Sequence, residues 1–331
     1  QYIKTFAFTR NDWEAIEKNN KDAYIFVCHE HRDALPQQVQ EYIRWGETEC
    51  RTQIRRTRGG GRICSEAEAC KARARYPEMF KGWYDLGGYI PTPLMAIRQP
   101  RYHPQFFYVQ LPVVTYDAII TFTPKIKIKT VNTVLDPGEF IKKYPFLSNI
   151  GIRNDIVLDE VELKALLAYF NSTFVWLWLE QNARYIAKGP LGLEVNILRD
   201  MPLLNVKKLR REDIVELAKL FDELESRARQ IAKGEETKLE MFEALKLYFQ
   251  AIDCEIARVL GIPIDVEWLW SSAWEMMERR VQGAKGPTRP GAEITVDVRR
   301  ERRRRGRGGT PSKSPPGIPL DKWLRPENDL K

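Results

Sequence analysis

The 331-residue sequence predicts an α+β fold of mixed strands and long helices, which ends in an antiparallel helix pair and a disordered basic tail. Three observations predict it. Short apolar runs and one strict alternation occur in the first part of the chain and are typical of strands. From residue 159 to residue 260, apolar residues recur every three or four positions, as on amphipathic helices. After residue 280, too few apolar residues remain to form a core.

The N-terminal part is predicted to be a small α/β segment. The apolar run AYIFVC at 23–28 predicts a strand, and Pro36 predicts the first turn of a helix after it. Residues 50–75 are polar and rich in Gly and Arg, with Gly59-Gly60-Gly61 at their centre. We therefore expect a flexible loop or an insertion there.

Further strands are predicted in the middle of the chain. Phe106–Val109 and Ile119–Phe122 are apolar runs bounded by prolines. In the sequence KIKIKT, which starts at Lys125, two isoleucines alternate with three lysines. A strand with this alternation carries the lysines on one face and the isoleucines on the other. The run LEVNIL at 193–198 predicts one more strand.

A long helical pattern begins at Asp159, a good N-cap because Glu162 follows three residues later, as in a capping box. Asn171-Ser172-Thr173 interrupts the pattern and predicts a break into two helices, and Gly189-Pro190 ends it. The apolar stretch 165–179 is shorter than the ~20 residues that span a bilayer. We expect a buried helix there and no membrane association.

Two more helices are predicted at 211–233 and 236–260, each with an apolar stripe. Because the connection at Gly234 is short, the two are expected to pack as an antiparallel pair.

The net charge of +8 is concentrated in two segments. Residues 281–331 contain 13 Lys and Arg against 6 Asp and Glu, and residues 51–75 contain 8 against 2. Concentrated basic charge suits a polyanion; a solvated face joined to a disordered tail is the alternative explanation. The five Cys have irregular spacings and the chain has no secretory signal, so we expect no disulfide framework and a reducing cytoplasm.

Metal and nuclease chemistry find little support in the sequence. Cys28-His29-x-His31 and the three Cys that follow lack the paired spacing of most zinc sites, so zinc is a minor alternative. Asp155 with Glu162 and Lys164 superficially resembles a nuclease D…ExK pattern. Glu162 and Lys164, however, are two apart on a predicted helix and point in different directions, which disfavours a shared metal ion.

Three segments between residues 40 and 210 carry a family resemblance. Residues 166–209 contain LLAYFNSTF, then ARY, then a Gly-Leu turn, then LEVNILRDMPLL. Upstream lie YIRWGE at 42–47 and WYDL at 83–86. In this order they resemble the C-terminal target-recognition region of adenine-N6 DNA methyltransferases of restriction–modification systems. The closest classes have the target domain after the catalytic domain, or fuse restriction with methylation.

The resemblance covers about half of the chain, and together with the composition and the helical patterns it predicts four ranges, although the Arg-rich stretch 51–75 and the tail do not map onto the family. They are an N-terminal α/β segment that continues an upstream domain (1–49), a target-recognition-like DNA-binding domain (50–210), a helical bracing region (211–280) and a disordered Arg/Gly/Pro-rich tail (281–331). The helices at 211–260 either brace the chain against a catalytic domain or close its own core, and both remain open.

The resemblance also implies double-stranded DNA as a partner. The expected DNA-binding residues are Arg51, Arg55, Arg56, Arg58, Arg62, Arg73, Arg75, Trp83, Tyr84, Arg184, Tyr185 and Lys188. The arginines suit phosphate contacts, which give salt-dependent affinity and little sequence choice. Trp83 is either an anchor at the DNA surface or a core residue, and Arg184 either a backbone contact or a surface ion pair.

The chain lacks both devices that methyl transfer to adenine needs. It has no Phe-x-Gly-x-Gly turn for S-adenosylmethionine, and its one Pro-Pro, in Ser314–Gly317, lacks the aromatic residue that stacks on a flipped base. Because the chain begins with Gln, we expect it to be part of something longer. S-adenosylmethionine and the methyltransferase catalytic domain are therefore expected in cis or in trans. The alternative function is a non-enzymatic RNA- or DNA-binding protein that acts through its Arg/Gly-rich tail.

Overall fold

The computed structural model describes residues 5–19, 26–52, 62–87, 91–115, 118–131, 134–144, 151–187, 189–232 and 238–283. The strands are β1 Ala7–Phe8, β2 Arg51–Thr52, β3 Arg62–Ile63, β4 Leu94–Ile97, β5 Phe106–Val109, β6 Ile119–Thr121, β7 Ile126–Lys129, β8 Val134–Leu135, β9 Arg153–Asp159, β10 Arg184–Tyr185 and β11 Leu191–Gly192. The helices are α1 Arg10–Lys18, α2 Gln37–Thr48, α3 Glu68–Ala74, α4 Pro137–Lys143, α5 Glu160–Phe170, α6 Thr173–Asn182, α7 Val195–Asp200, α8 Arg211–Ile231, α9 Lys238–Ala244, α10 Lys246–Leu260 and α11 Val266–Gly283. The predicted α+β class is confirmed.

A four-stranded sheet has the order β1-β5-β4-β6. β4 is antiparallel to β5 and β6, whereas β1 is parallel to β5. Every residue of β5 is buried: Phe106 lies in the main core, and Phe107 lies in a smaller cluster with Met95. A strand covered on both faces is apolar throughout, which is why its sequence shows a run rather than an alternation. The predicted strands in this region are confirmed.

A second sheet has the order β8-β7-β9, with β7 antiparallel to β8 and parallel to β9. Ile128 on β7 is buried, whereas Lys125 and Lys129 are exposed. Lys127 pairs with Asp136 across 2.6 Å at the edge of this sheet. The alternation in the sequence therefore predicted both the strand and its buried face.

The predicted helix pair in the middle of the chain is confirmed. Asp159 accepts the backbone N–H of Glu162, and the Glu162 carboxylate accepts the N–H of Asp159, which completes the capping box. α5 ends at Phe170, and Ser172 caps the start of α6 by accepting from the Val175 N–H. The helical segment was expected to end at residues 189–190, but α6 ends earlier, at Asn182, before the two-residue strand β10.

The antiparallel arrangement of the C-terminal helices is confirmed. Arg258, near the end of α10, bonds to Asp213, near the start of α8, so the two helices run in opposite directions. The predicted helix at 236–260 is two helices, which meet at Leu245. α11 was not predicted; it follows a left-handed Gly261, which ends α10 with φ 65°.

Two sequence-based predictions are wrong. Most of the predicted strand 193–198 is helix α7. Only Leu191–Leu193 is extended, and the N–H groups of Leu191 and Leu193 donate to carbonyls in residues 98–100. Short apolar runs fit both states, and spacing alone does not separate them. Residues 64–74, part of the range 50–75 that was expected to be a flexible loop or an insertion, form a 3-10 turn and α3, which rules out the flexible loop for them.

Other predictions fall partly or wholly outside the described residues. In the predicted strand 23–28, the described residues 26–28 have no regular structure, and 23–25 lie outside. Gly59-Gly60-Gly61 and the basic tail also lie outside. Pro36 is the N-cap of α2, one position before the predicted one.

One hydrophobic core joins three of the four predicted ranges. It includes Phe6 from the first range, Leu94 and Trp176 from the second, and Phe249 and Met277 from the third. The apolar faces of α8, α10 and α11 are buried in this core. This observation supports the alternative in which the C-terminal helices close the chain's own core.

Candidate nucleic-acid interface

The arginine-rich hairpin follows α2 directly. β2 and β3, which carry Arg51 and Arg62, pair antiparallel. Cys50 and Cys64 form a disulfide at the base of the hairpin, with their Cα atoms 5.5 Å apart. The expectation of cysteines without disulfides is corrected here. Spacing in the sequence did not reveal the pair because the two Cys become neighbours only when the strands pair.

Two aromatic residues on α2 lie beside this hairpin and were missed by the sequence analysis. Tyr42 and Trp45 are 47% and 45% exposed, and their rings stack with centroids 5.9 Å apart. The carbonyl of Trp45 accepts the N–H of Cys50, which joins the end of α2 to the hairpin. Arg44 between them is exposed. A three-residue spacing of aromatics in a polar helix was the available signal, since it places both rings on one face.

Trp83 is held against the buried side of α2. Its indole N–H donates to the Glu47 carboxylate at 3.1 Å, and its ring lies directly over Gly46, where a Cβ atom would overlap the ring. Arg73 on α3 donates from Nε to the Trp83 carbonyl at 2.9 Å and from a terminal nitrogen to Cys70. Trp83 is only partly buried, and these contacts match the packing role that the sequence left open for it.

Tyr84 lies inside the protein. It is 6% exposed, and its hydroxyl donates to the Glu30 carbonyl at 2.8 Å. Burial raises the pKa of this hydroxyl, so it stays protonated as a donor. Beside it, the buried Asp85 carboxylate contacts His29 at 2.7 Å and accepts the N–H of Lys81. In this conformation the Tyr84 ring is covered and has no free face for a nucleic-acid base, contrary to the expected surface role.

The remaining basic residues of this region divide by position. Arg75 is exposed at the end of α3. The predicted Arg55, Arg56 and Arg58 lie outside the described residues. The structure thus brings Trp83, Tyr84 and Arg73 together around α2.

Arg184 and Tyr185 belong to a second hairpin, β10–β11, which packs along residues 98–102 rather than around α2. Arg184 is exposed and pairs with Glu194 at 2.9 Å, as the surface ion-pair alternative predicted. Tyr185 is 38% exposed, and its hydroxyl donates to the Glu180 carbonyl. Lys188 lies outside the described residues.

A buried ion pair supports this second hairpin from below. Arg280 and Glu180 have side chains that are 0% exposed and form two N–H···O bonds, of 2.8 and 2.7 Å. Arg280 also donates to the carbonyls of Gly189 and Arg101, and Trp176 donates to Glu180 at 3.1 Å. These hydrogen bonds satisfy the polar atoms of the buried pair, and together they join the loop between β10 and β11 to α11.

The alternative chemistries gain no geometric support. In the ranges that the structure describes, no group of three or more His, Cys, Asp or Glu side chains is arranged to hold a metal ion. Glu162 bonds to Lys207, and Lys164 bonds to Asp222, so these two residues of the nuclease-like pattern form ion pairs with other elements. No described helix is long and apolar enough to cross a membrane.

Comparisons of the chain with family models, curated proteins and solved structures find no match.

Proposed function

We propose that this chain recognises a double-stranded DNA sequence on behalf of an adenine-N6 DNA methyltransferase of a restriction–modification system. The observation that carries the proposal is the exposed Tyr42–Trp45 stack on α2, joined directly to a hairpin that begins and ends in arginine. The motif resemblance at 42–47, 83–86 and 166–209 supports it from the sequence side.

The two kinds of residue do different physical work. Arginines that contact phosphates release counterions and give affinity that falls with salt, with little choice of sequence. Exposed aromatic rings add flat apolar contact to sugars and bases at low cost in conformational entropy. An arrangement of both on α2 and the adjoining hairpin, closed by the Cys50–Cys64 disulfide, suits a groove-tracking surface.

Chemistry is assigned to another domain. The proposal places S-adenosylmethionine and the flipped adenine in a methyltransferase domain fused to this chain or supplied as a separate subunit. Arg184 and Tyr185 on the second hairpin are proposed as further backbone contacts; engaging phosphate requires Arg184 to leave Glu194.

The test selects ligands for the full chain from a pool of random duplexes at two salt concentrations and sequences the bound fraction. An enriched motif that survives the higher salt supports the proposal. The double substitution Tyr42→Ala/Trp45→Ala is expected to weaken binding by at least about tenfold. Trp268→Ala, which removes a 60% exposed indole from α11, is the matched control and should leave affinity unchanged.

The tail-driven alternative makes the opposite prediction. Replacing the seven arginines of residues 299–307 with Gln should then abolish binding, while the α2 double substitution should have no effect. The proposed function is rejected if binding shows no sequence enrichment, is lost when the tail arginines are replaced, and is unchanged by the α2 double substitution.

A further inference from the structure

A cavity of about 270 Å³ opens between α10 and α11, near the end of α9. Its walls are Trp270 and Trp274 together with Glu243, Lys246, Glu275 and Glu278. It lies on different elements from the hairpin surface.

The aromatic wall is rigid. Trp270 and Trp274 stack with centroids 5.7 Å apart and planes 25° apart. Trp176 meets both rings edge-on from below, at 5.3 and 6.3 Å, and Phe249 stacks on Trp270 at 5.6 Å. Trp270 is 4% exposed, whereas Trp274 is partly exposed and is the accessible ring of the pair.

The rim of the cavity carries excess negative charge. Lys246 is engaged by Glu267, and Glu275 is engaged by Arg279. Glu243 and Glu278 are exposed, and among the described residues neither forms an ion pair. Two carboxylates beside an indole face define a site for a cation, and the planar guanidinium fits best because it stacks on the ring while its N–H groups reach a carboxylate.

We propose that this cavity binds an arginine side chain from the chain's own segment 299–307. That segment contains seven arginines and lies after the end of α11. Nine residues separate Trp274 from Gly283, a helical distance of about 14 Å. The sixteen residues 284–299 reach about 50 Å when extended. The tail therefore spans the distance with ample slack.

Covalent connection also favours this occupant over a free ligand. A tethered segment is present at an effective concentration on the order of millimolar, so a dissociation constant of about 1 mM, from the cation–π stack and the carboxylate bonds together, keeps the site about half occupied. The docked arginine is withheld from polyanions. The cavity thus sets how much of the tail's positive charge is available to nucleic acid.

The test places the photo-crosslinking residue p-benzoylphenylalanine at Ser271, an exposed position that lines the cavity, in the full chain. After irradiation and cleavage before aspartate, mass spectrometry should find crosslinks to the peptide 297–320, which contains the seven arginines. Photoreactive substitution of Val215, which is exposed on α8 and does not line the cavity, is the control and should give little of this product. A mixture of isotopically heavy and light chains identifies whether the crosslink forms within one chain.

Two variants test the chemistry without disturbing the core. Glu243→Gln/Glu278→Gln should lower the crosslink yield at least about fivefold, whereas Glu223→Gln on α8 should not change it. Arginine-to-glutamine replacement across 299–307 should abolish it. Equal crosslinking from positions 271 and 215, no tail peptide at all, or products that join heavy to light chains would each overturn the proposal.

Discussion

His103 and Asp253 are buried titratable groups with pKa values shifted in opposite senses. His103 stacks on Phe249 at 4.4 Å, and neither of its ring nitrogens makes a well-formed hydrogen bond. Burial lowers its pKa to about 3, against smaller opposing effects from nearby backbone carbonyls. Asp253, one turn after Phe249 on α10, accepts the Thr173 N–H with one oxygen only, and burial raises its pKa to about 7.

These shifts predict opposite slopes of stability against pH. Because the pKa of Asp253 is raised in the folded protein, its contribution to stability is full below pH 3.8 and is lost as the pH rises to about 7. Because the pKa of His103 is lowered, its contribution is full above pH 6.5 and is lost as the pH falls to about 3. The two cancel between about pH 4 and 6.5. Relative to wild type, Asp253→Asn should therefore gain stability as pH rises through this range, by up to about 1.4 kcal/mol per pH unit.

His103→Phe, which keeps a planar ring, should show the reverse relative slope in the same urea-unfolding series. Comparison with wild type removes the contribution of other groups such as Glu225, whose pKa is also raised to about 7 by burial. Parallel pH profiles for wild type and both variants would contradict the assigned environments.

Gly46 is a second position where one residue decides local packing. Ala normally stabilises a helix interior relative to Gly by about 1 kcal/mol. Here the added Cβ would lie 2.3 Å from the Trp83 ring, which its bond to Glu47 holds in place. Gly46→Ala should instead destabilise the protein by about 1–3 kcal/mol in denaturant unfolding. Adding Trp83→Phe, a shorter ring, should cost less than the sum of the two changes.

At the scale of elements, Asn171 joins the break between α5 and α6 to the central strand β5. Its side-chain oxygen accepts the N–H of Phe106 at 3.1 Å, and its amide donates to the Phe106 carbonyl at 2.8 Å. Asn171→Ala should cost about 2–5 kcal/mol, because it leaves two buried backbone groups without partners. Ser172→Ala, which removes the cap bond from the Val175 N–H and the hydroxyl's bond to the Tyr169 carbonyl, should cost less, about 1–2 kcal/mol. Equal costs in urea unfolding would refute the bridging role.

The sequence predicted those elements whose causes are local. The capping box at Asp159, the interruption at 171–173 and the alternation of β7 depend on residues within one or two turns, and all three are confirmed. It did not predict that Asn171 reaches β5, sixty-five residues away, because that contact depends on how the layers pack. The strand predicted at 193–198 failed for the same reason.

The candidate interface was predictable only in part. The charge pattern located the basic segment 51–75, but it predicted neither the strand pair β2–β3 nor the disulfide that closes it. Burial separated two neighbouring aromatic pairs: Tyr84 is covered, whereas Tyr42 and Trp45 are open. Both pairs look alike in sequence, since an aromatic side chain suits a core and a binding surface equally well.

At the scale of the whole molecule, the C-terminal helices are hydrogen-bonded to the N-terminal residues. The Glu225 carboxylate on α8 accepts the N–H of Phe6 and the hydroxyl of Thr5. Arg229 on the same helix bonds to Asp12 on α1. Removing residues 211–283 would therefore expose the apolar face of β1 and α5 together, and the helices belong to the core.

The Glu180–Arg280 pair links α6 to α11 with both side chains 0% exposed, and it predicts a non-additive response. Arg280→Met should destabilise by about 3–5 kcal/mol, because it leaves the Glu180 carboxylate buried without its counter-charge. Glu180→Gln/Arg280→Met should cost less than Arg280→Met alone, since the double variant buries no charge. Arg279→Met, beside it but exposed, should change stability by less than about 0.5 kcal/mol.

Urea unfolding of the three variants measures the free energies directly, with the slope as a check for two-state behaviour. The geometry adds a local consequence: without Arg280, the carbonyls of Gly189 and Arg101 lose their donor, so the β10–β11 loop should lose amide-exchange protection before the rest of the chain does. A double variant as unstable as Arg280→Met alone would mean that the carbonyl bonds, rather than the charge pair, hold this end of the molecule together.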